Sequence, residues 1–333
     1  MQSPTVSFVI PALNEQRCLA RVLERIKELS TRSGVAIREV VVVDSGSTDN
    51  TRDIALAHGC KVVSASPGNV SASRNLGASH CEGDLLAFID ADALLPESWL
   101  DECYSALVEK QGLAAGSAIT INPDTRSWVE KTWCELAYRS PERRSISHVD
   151  WLATINILVY REAFAAVSGF REDLITCEDV DFGQRLSATG QLYRLQGYVD
   201  VIHLGESQVL SEFFRREAWR ARGEVALLKQ RWRNPRDLLS FFLPMLVVMT
   251  QVAGIAVLLS LLLSLSTGLP ALPEHLQLPK LLLGLGLCLL PVLLLVLMRR
   301  PAPSYFLKGW LLLSIYFWAR TTGILRNFSR VER

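Results

Sequence analysis

Short apolar runs alternate with amphipathic ones along the first 120 residues. Val6 to Ile10 is an apolar run of strand length. In Gln16 to Leu29, the residues Leu19, Val22, Leu23, Ile26 and Leu29 recur at three- and four-residue spacings, which predicts a helix with one apolar face. Val40 to Val43 is a continuous β-branched run suited to a strand buried on both faces. Thr51 to His58 predicts a short helix closed by Gly59. Lys61 to Val63 predicts a strand, Ser71 to Ser79 a helix and Leu85 to Ile89 a strand, and Pro96 opens a helix to about Lys110. This alternation predicts an α/β domain with a mostly parallel sheet and helices on both faces. In such sheets ligands bind beyond the carboxyl ends of the strands.

The pattern changes in the last third. Leu238 to Leu265 is an uncharged run of 28 residues and Leu281 to Met298 another of 18. About 20 apolar residues cross a bilayer core, so both runs predict transmembrane helices, and Pro244 and Pro291 do not forbid them. The alternative is a pair of core helices in a soluble protein, but a globular core seldom holds 28 residues without a charge. Arg231, Arg233 and Arg236 precede the first run, and Arg299 and Arg300 follow the second. The positive-inside rule places both flanks in the cytoplasm and the loop Ser266 to Lys280 outside. A third apolar stretch, Tyr305 to Leu325, contains Lys308 and Arg320 and is followed by Arg326, Arg330 and Arg333. It predicts a helix at the cytoplasmic interface anchored by Trp310, Tyr316 and Trp318, with a third crossing as the alternative.

Composition narrows the picture. The 333 residues carry 35 Lys and Arg against 34 Asp and Glu, and 49% are hydrophobic. By count, residues 1–236 carry about −4, residues 237–298 about −1 and residues 299–333 about +6. A uniformly basic nucleic-acid binder is excluded, and a mean hydropathy of +0.21 is too apolar for a disordered chain. The opening MQSPTVSFVIPALNE has no basic n-region and no long apolar h-region, so no cleavable signal is expected and residues 1–236 are expected in the cytosol. The seven cysteines show no CxxC and no metal-ligand spacing, which suits small buried hydrophobes in a reducing compartment.

Polar residues gather after the predicted strands. Pro11, Ala12, Asn14 and Glu15 follow the first; Asp44 to Asp49 (DSGSTD) follow the second; Asp90-Ala91-Asp92 follow the strand ending at Ile89. Three acidic loops on one edge repel one another unless a cation or hydrogen-bonding ligand binds there. No GxGxxG follows the first strand and no GxxxxGK[ST] occurs, so nicotinamide and P-loop chemistry lose support.

Six motifs in order carry a family resemblance: VIPALNE (9–15), VVDSGSTDNT (42–51), SASRNLGASHCEGD (71–84), FIDADALLP (88–96), SGFRE (168–172) and CEDVDFGQRL (177–186). Over roughly residues 5–205 the chain resembles a family 2 glycosyltransferase with the GT-A fold, the Rossmann-like mixed sheet of nucleotide-diphospho-sugar transferases. The resemblance implies donor-binding roles for Pro11, Ala12, Glu15, Asp44, Arg74, Asp90 and Gly169. For Asp44 the other reading is a turn residue, and for Arg74 a structural salt bridge. Asp49 is expected to cap the helix that follows it. Asp90-Ala91-Asp92 matches the family's DxD element. A donor diphosphate beside carboxylates requires a divalent cation, Mg2+ or Mn2+, which takes oxygen ligands. By resemblance Asp92 holds the metal, and His203 either completes that site or is structural. Glu178 and Asp179 read either as an acidic first helical turn or, by resemblance, as base and partner. Inverting transfer needs an acceptor hydroxyl deprotonated as it attacks, and the resemblance assigns that to Asp179, with Glu178 orienting it or binding the acceptor.

The segment FFRREAWRARG (213–223) is basic and aromatic, fit either for anionic lipid or for a donor diphosphate. The QxxRW signature of processive synthases is absent. The organisation expected is a GT-A domain over 1–210, a basic amphipathic interface segment over 211–237 and a membrane region over 238–333. The function expected is an integral inner-membrane glycosyltransferase with its catalytic domain on the cytoplasmic face. It would move a sugar from a UDP- or GDP-linked donor to a lipid-linked or membrane-presented acceptor. Alternatives are transfer to a polyprenyl phosphate, a catalytically silent membrane scaffold or nucleotide sensor, and a sugar nucleotidyltransferase. The last fits poorly because the expected Gly-rich basic phosphate loop is absent. Trp128, Trp133 and Trp151 suit buried packing better than acceptor stacking. Oligomeric state, sugar and acceptor are left open.

Overall fold

The computed structural model describes residues 4–120, 122–138, 144–225, 228, 235–266 and 274–331. It divides into two compact units. The first comprises residues up to Thr125 and Tyr138–Glu206, and the second comprises Arg126–Ala137 and Ser207 onward.

The first unit opens β1 (Thr5–Ala12), α1 (Leu19–Arg32), β2 (Ala36–Asp44), α2 (Thr51–Ala57), β3 (Lys61–Ser64), α3 (Val70–Ser79), β4 (Leu85–Ile89) and β5 (Ala93–Leu94). These match the predicted alternation, with β1 and β2 longer than their apolar runs. Helix α4 (Trp99–Lys110), β6 (Ala114–Ser117) and β7 (Ile119–Thr120) follow. Helix α5 (Trp128–Ala137) belongs to the second unit. The chain then returns through β8 (Ser145–Val149), β9 (Asn156–Tyr160), α6 (Arg161–Ala166), α7 (Glu178–Ser187), β10 (Leu192–Gln196) and β11 (Val201–His203).

Eight described strands form one sheet in the order β3-β2-β1-β4-β9-β6-β10-β8. Strands β3, β2, β1 and β4 are mutually parallel, as expected. Strand β9 is not: it inserts antiparallel between β4 and β6, and β8 closes the edge antiparallel to β10. The sheet is therefore mixed. An apolar strand such as NILVY reads the same in either direction, so its sequence does not reveal its polarity. A smaller sheet, β5-β11-β7, sets His203 opposite Ala93.

Strand periodicity distributes the core over both faces. Val6, Phe8 and Ile10 point with Val42, Leu85 and Ile89 into a cluster with α1 and α4. Val9, Val41, Val43, Leu86 and Phe88 point the other way, against Phe164 of α6, Phe170, and Phe182 and Leu186 of α7. Among the polar groups buried in this unit, Asn156 is held by a network of its own. Asn156 Oδ1 accepts from Ser117 N (2.6 Å), Ser117 Oγ (3.0 Å) and Trp99 Nε1 (3.1 Å), and its Nδ2 donates to Ser117 O.

The second unit contains α5, α8 (Leu210–Arg220), α9 (Pro235–Ser266), α10 (Glu274–Arg299) and α11 (Phe306–Val331). Among the described residues two stretches are long and apolar enough to cross a membrane, Leu238–Ser264 and Leu276–Arg299. Helix α10 begins six residues before Lys280 and carries Pro279 inside it, so the expected loop is shorter than Ser266 to Lys280. Arg231, Arg233, residues 267–273 and Arg333 lie outside the described residues. Gly254 of α9 and Gly284 of α10 meet where added Cβ atoms would fall within 3.2 Å of the facing helix. Gln251 of α9 accepts from Trp318 Nε1 of α11 (2.8 Å). Arg320 of α11 pairs with Glu217 and Glu224, and Gly323 abuts the Ala218 carbonyl. Trp133 packs on Phe213 and Tyr316, the packing role expected of it.

All seven cysteines are free thiols.

Asn156→Ala removes four buried hydrogen bonds at once and leaves Ser117 and Trp99 without partners. It should destabilise the first unit by about 2–4 kcal/mol, read as a lower denaturation midpoint. A midpoint equal to wild type would contradict the assignment.

Candidate active site

The site is assembled at the carboxyl ends of β1, β2 and β4. Strand β1 runs on through Pro11 and Ala12, paired with Val43 and Asp44 of β2, so these two residues are strand rather than loop. Beyond them the two loops are laced together. Asn14 N donates to Ser47 Oγ, Asn14 Oδ1 accepts from Thr48 N, and Glu15 N donates to Thr51 Oγ1 at 2.7 Å. Asp49 accepts from Thr51 N and from Gln16 N, but the N-cap position of α2 is Asn50, so the expected cap acts from one residue further out. Asp44 is buried at the end of β2, and its Oδ1 accepts from Ser47 N at 3.0 Å, an Asx-type turn.

Helix α3 connects this loop to the rest. Ser45 Oγ and Ser73 Oγ are hydrogen-bonded at 3.0 Å. The next residue, Arg74, is 3% exposed; its Nη2 donates to Asp90 Oδ1 at 2.9 Å and its Nη1 to Glu178 Oε1 at 2.8 Å. The guanidinium lies over the Phe170 ring, 5.6 Å from its centroid. The salt-bridge reading of Arg74 is thus the one its contacts express. Asn75 clamps the SGFRE turn by accepting from Phe170 N and donating to Phe170 O and Glu172 Oε1. Gly169 sits in that turn at φ +64, where an added Cβ would fall 2.6 Å from Asn75 Oδ1. Glycine is required there both by backbone angle and by space.

Glu178 and Asp179 open α7 directly after Cys177, a non-glycine residue at φ 65. The helix N-terminus favours their negative charge, but burial opposes it more strongly. Burial first, and the Glu178 carboxylate second, push Asp179 up to about 7, against the Val180 amide and Arg74, which pull it down.

On the other side of Asp90, Asp92 O accepts from Leu204 N at 2.8 Å, extending the small sheet. This sets His203 beside Asp92, with Nε2 3.1 Å from Asp92 Oδ2 and Nδ1 2.8 Å from Glu206 Oε1. Burial disfavours the imidazolium, yet Asp92 and Glu206 outweigh it and lift His203 to about 10. Gly205 leaves room for Asp92, since a Cβ there would collide with its carboxylate. Among the described residues no group of three or more His, Cys, Asp or Glu side chains forms a ready-made metal cluster. The donor chemistry of Asp92 with His203 Nε2 nonetheless suits a divalent ion that takes its other ligands from a substrate. Glu206 on Nδ1 would then hold the ring in the ligating tautomer. Glu206 escaped the sequence reading, although its place three residues after His203 in HLGE was the signal available.

The structure therefore connects Asp44, Arg74, Asp90, Asp92, Glu178, Asp179 and His203 around one sheet edge. Pro11, Ala12, Glu15 and Gly169 shape its loops.

Residues 7–166 match the profile of the family described as Glycosyl transferase family 2. Among curated relatives, glucosyl-3-phosphoglycerate synthase of Mycolicibacterium smegmatis is 42% identical over 103 residues, 28% of this chain and 32% of that protein's length. Glycosyltransferase AglE of Haloferax volcanii is 26% identical over 233 residues, 67% of this chain and 73% of the relative. Among solved structures, a mannosyltransferase of Pyrobaculum calidifontis, in complex with GDP-Man and Mn2+, superposes with a TM-score of 0.57 at 15% identity. That superposition covers 98% of this chain and 88% of the other, and shows a shared fold.

A carboxyl raised to about 7 makes the folded protein bind one more proton than the unfolded chain between about pH 4 and pH 7. Stability from this group is present below pH 4 and is lost as pH rises through 7. Asp179→Asn should therefore be more stable than wild type at pH 8, and the difference should vanish by about pH 4. Thermal midpoints at the two pH values check it.

Proposed function

We propose that this protein is a metal-dependent inverting glycosyltransferase that transfers a sugar from a UDP- or GDP-linked donor to an acceptor presented at a membrane. The observation that carries the reading is the meeting of carboxylates from three separate chain segments at one sheet edge, inside a family 2 domain. The donor's base and ribose are read by the loops at Pro11–Glu15, Asp44 and Asp90. When bound, Mg2+ or Mn2+ at Asp92 and His203 neutralises the donor diphosphate.

Asp179 takes the proton of the acceptor hydroxyl as that oxygen bonds to the anomeric carbon. The bond from that carbon to the diphosphate oxygen breaks on the opposite side, and its electron pair leaves with the nucleoside diphosphate. A base near pH 7 combines a useful ionised fraction with enough basicity. The Mn2+ and nucleotide-sugar of the structurally similar mannosyltransferase support the donor class.

The acceptor follows from the second unit. A freely soluble acceptor needs no anchor, and Leu238–Ser264 and Leu276–Arg299 are apolar enough to supply one. We place the first unit on the cytoplasmic face, from the basic residues that flank these helices.

Donor class is tested by thermal shift of the full-length protein with UDP-, GDP- and CDP-sugars in Mn2+; stabilisation identifies the donor. Asp92→Ala should lower turnover by about 100-fold or more in protein that still unfolds cooperatively. Full turnover by that variant, or by wild type in excess chelator, would overturn the metal role. The kcat/KM profile should show an acidic limb near pH 7, and Asp179→Asn should cost about 10²- to 10⁴-fold.

A further inference from the structure

The family resemblance assigns Arg74 to the donor, but its contacts lead elsewhere. Both Nη groups are occupied by carboxylates from opposite sides of the site: Asp90, after β4, and Glu178, at the start of α7. The remaining guanidinium nitrogen, Nε, is buried and has no hydrogen-bond partner. The flat face rests on Phe170, which packs edge-on against Phe88 of β4. Arg74 is almost wholly buried and each Nη already donates to a carboxylate, so its charge is directed to the protein's own acids rather than to a nucleotide. Behind it, α3 is fixed to the turn preceding α7 by Asn69 Nδ2 donating to Glu172 O and by the Asn75 clamp on Phe170.

We propose that Arg74 is a positioning residue, which holds the donor-side Asp90 and the base-side Glu178 at a fixed separation through one planar guanidinium. This rests on the reading of Asp179 as the base. Asp90 and Glu178 are 16 and 104 residues from Arg74 in sequence and would repel each other without it. The fork geometry matters as much as the charge. An ammonium is a point charge and does not hold two carboxylates in one plane at a set distance.

Arg74 also acts on the base through space. The charged groups acting on Asp179 are Glu178 on its own helix, which raises its proton affinity, and Arg74 from α3, which lowers it. Arg74 therefore sets both the distance between donor and base and the pH at which the base becomes active. It forms no bond to either substrate.

The test uses the full-length protein in detergent with UDP-glucose or GDP-mannose and Mn2+, following nucleoside diphosphate release. Arg74→Gln should lower kcat by about tenfold or more, leave donor KM within about threefold and move the acidic limb up by about half a pH unit or more. Arg74→Lys should keep the limb within about 0.3 of a unit, because charge is retained, yet still lose several-fold in kcat.

Either variant showing an unchanged kcat with a raised donor KM overturns the proposal and makes Arg74 a donor contact. An unmoved limb in Arg74→Gln overturns it too. If Arg74→Gln does not fold, Arg74→Lys carries the kcat-against-KM test alone. Failure of the underlying reading looks different: wild type releases no nucleotide from either donor, or Asp179→Asn matches wild type. The coupling is then read without turnover. The pH at which the stability gap between wild type and Asp179→Asn stops widening, about 7 in the wild-type background, should move upward in the Arg74→Gln background, and an unmoved plateau refutes the coupling.

Discussion

Negative charge concentrated at the edge of an apolar sheet is the constraint to which this fold answers. Four carboxylates, from Asp90, Asp92, Glu178 and Glu206, are drawn together over strands whose inward residues are Val, Leu, Ile and Phe. Carboxylates out of water repel strongly and lose hydration. Arg74 stands between one pair and His203 between the other. Each cation joins segments far apart in sequence. The ionic contacts therefore fix loop positions as well as neutralise charge, and removing one partner would leave a buried charge exposed to its like-charged neighbours.

Asp179 stands outside this compensation. It has no cation of its own, since Arg74 is engaged by its neighbour Glu178. The N-terminus of α7 and the Val180 amide supply partial positive charge, and these do not overcome burial. The result is a carboxyl that ionises near neutral pH. Environment rather than residue type sets such a carboxyl apart from its neighbours. The left-handed backbone at Cys177 is part of the same device. It turns the chain sharply into α7, so that Glu178 and Asp179 enter the site from the first helical turn.

Much of this was legible in the sequence, for physical reasons specific to each element. Strands β2 and β4 carried continuous apolar runs followed at once by Asp, and the rule that ligands gather at carboxyl ends then located Asp44, Asp90 and Asp92. Helix α1 was visible from its single apolar face. The direction of β9 was not, because a strand buried on both faces has no polarity mark. The partner of Arg74 was not legible either: an arginine 16 residues from one carboxylate and 104 from another carries no local signal of either. Nor was the assignment of α5 to the second unit, since TWCELA on an amphipathic helix does not say which core it faces.

The apolar third of the chain shows where hydropathy stops being informative. The three C-terminal helices all read as candidates for a bilayer, and within the second unit they are distinguished by what their polar residues meet. In α9 and α10 the facing positions are small, Gly254 against Gly284 and Cys288, which lets two apolar helices approach closely without polar partners. Helix α11 instead carries Arg320 into contact with Glu217 and Glu224, and Gly323 onto the backbone of α8. A charged side chain is costly in hydrocarbon unless paired. Here its partners come from α8 and the turn after it. Separating α11 from that segment would unpair these charges. The same pairing holds α11 to α8 and distinguishes it from α9 and α10, which meet through small residues.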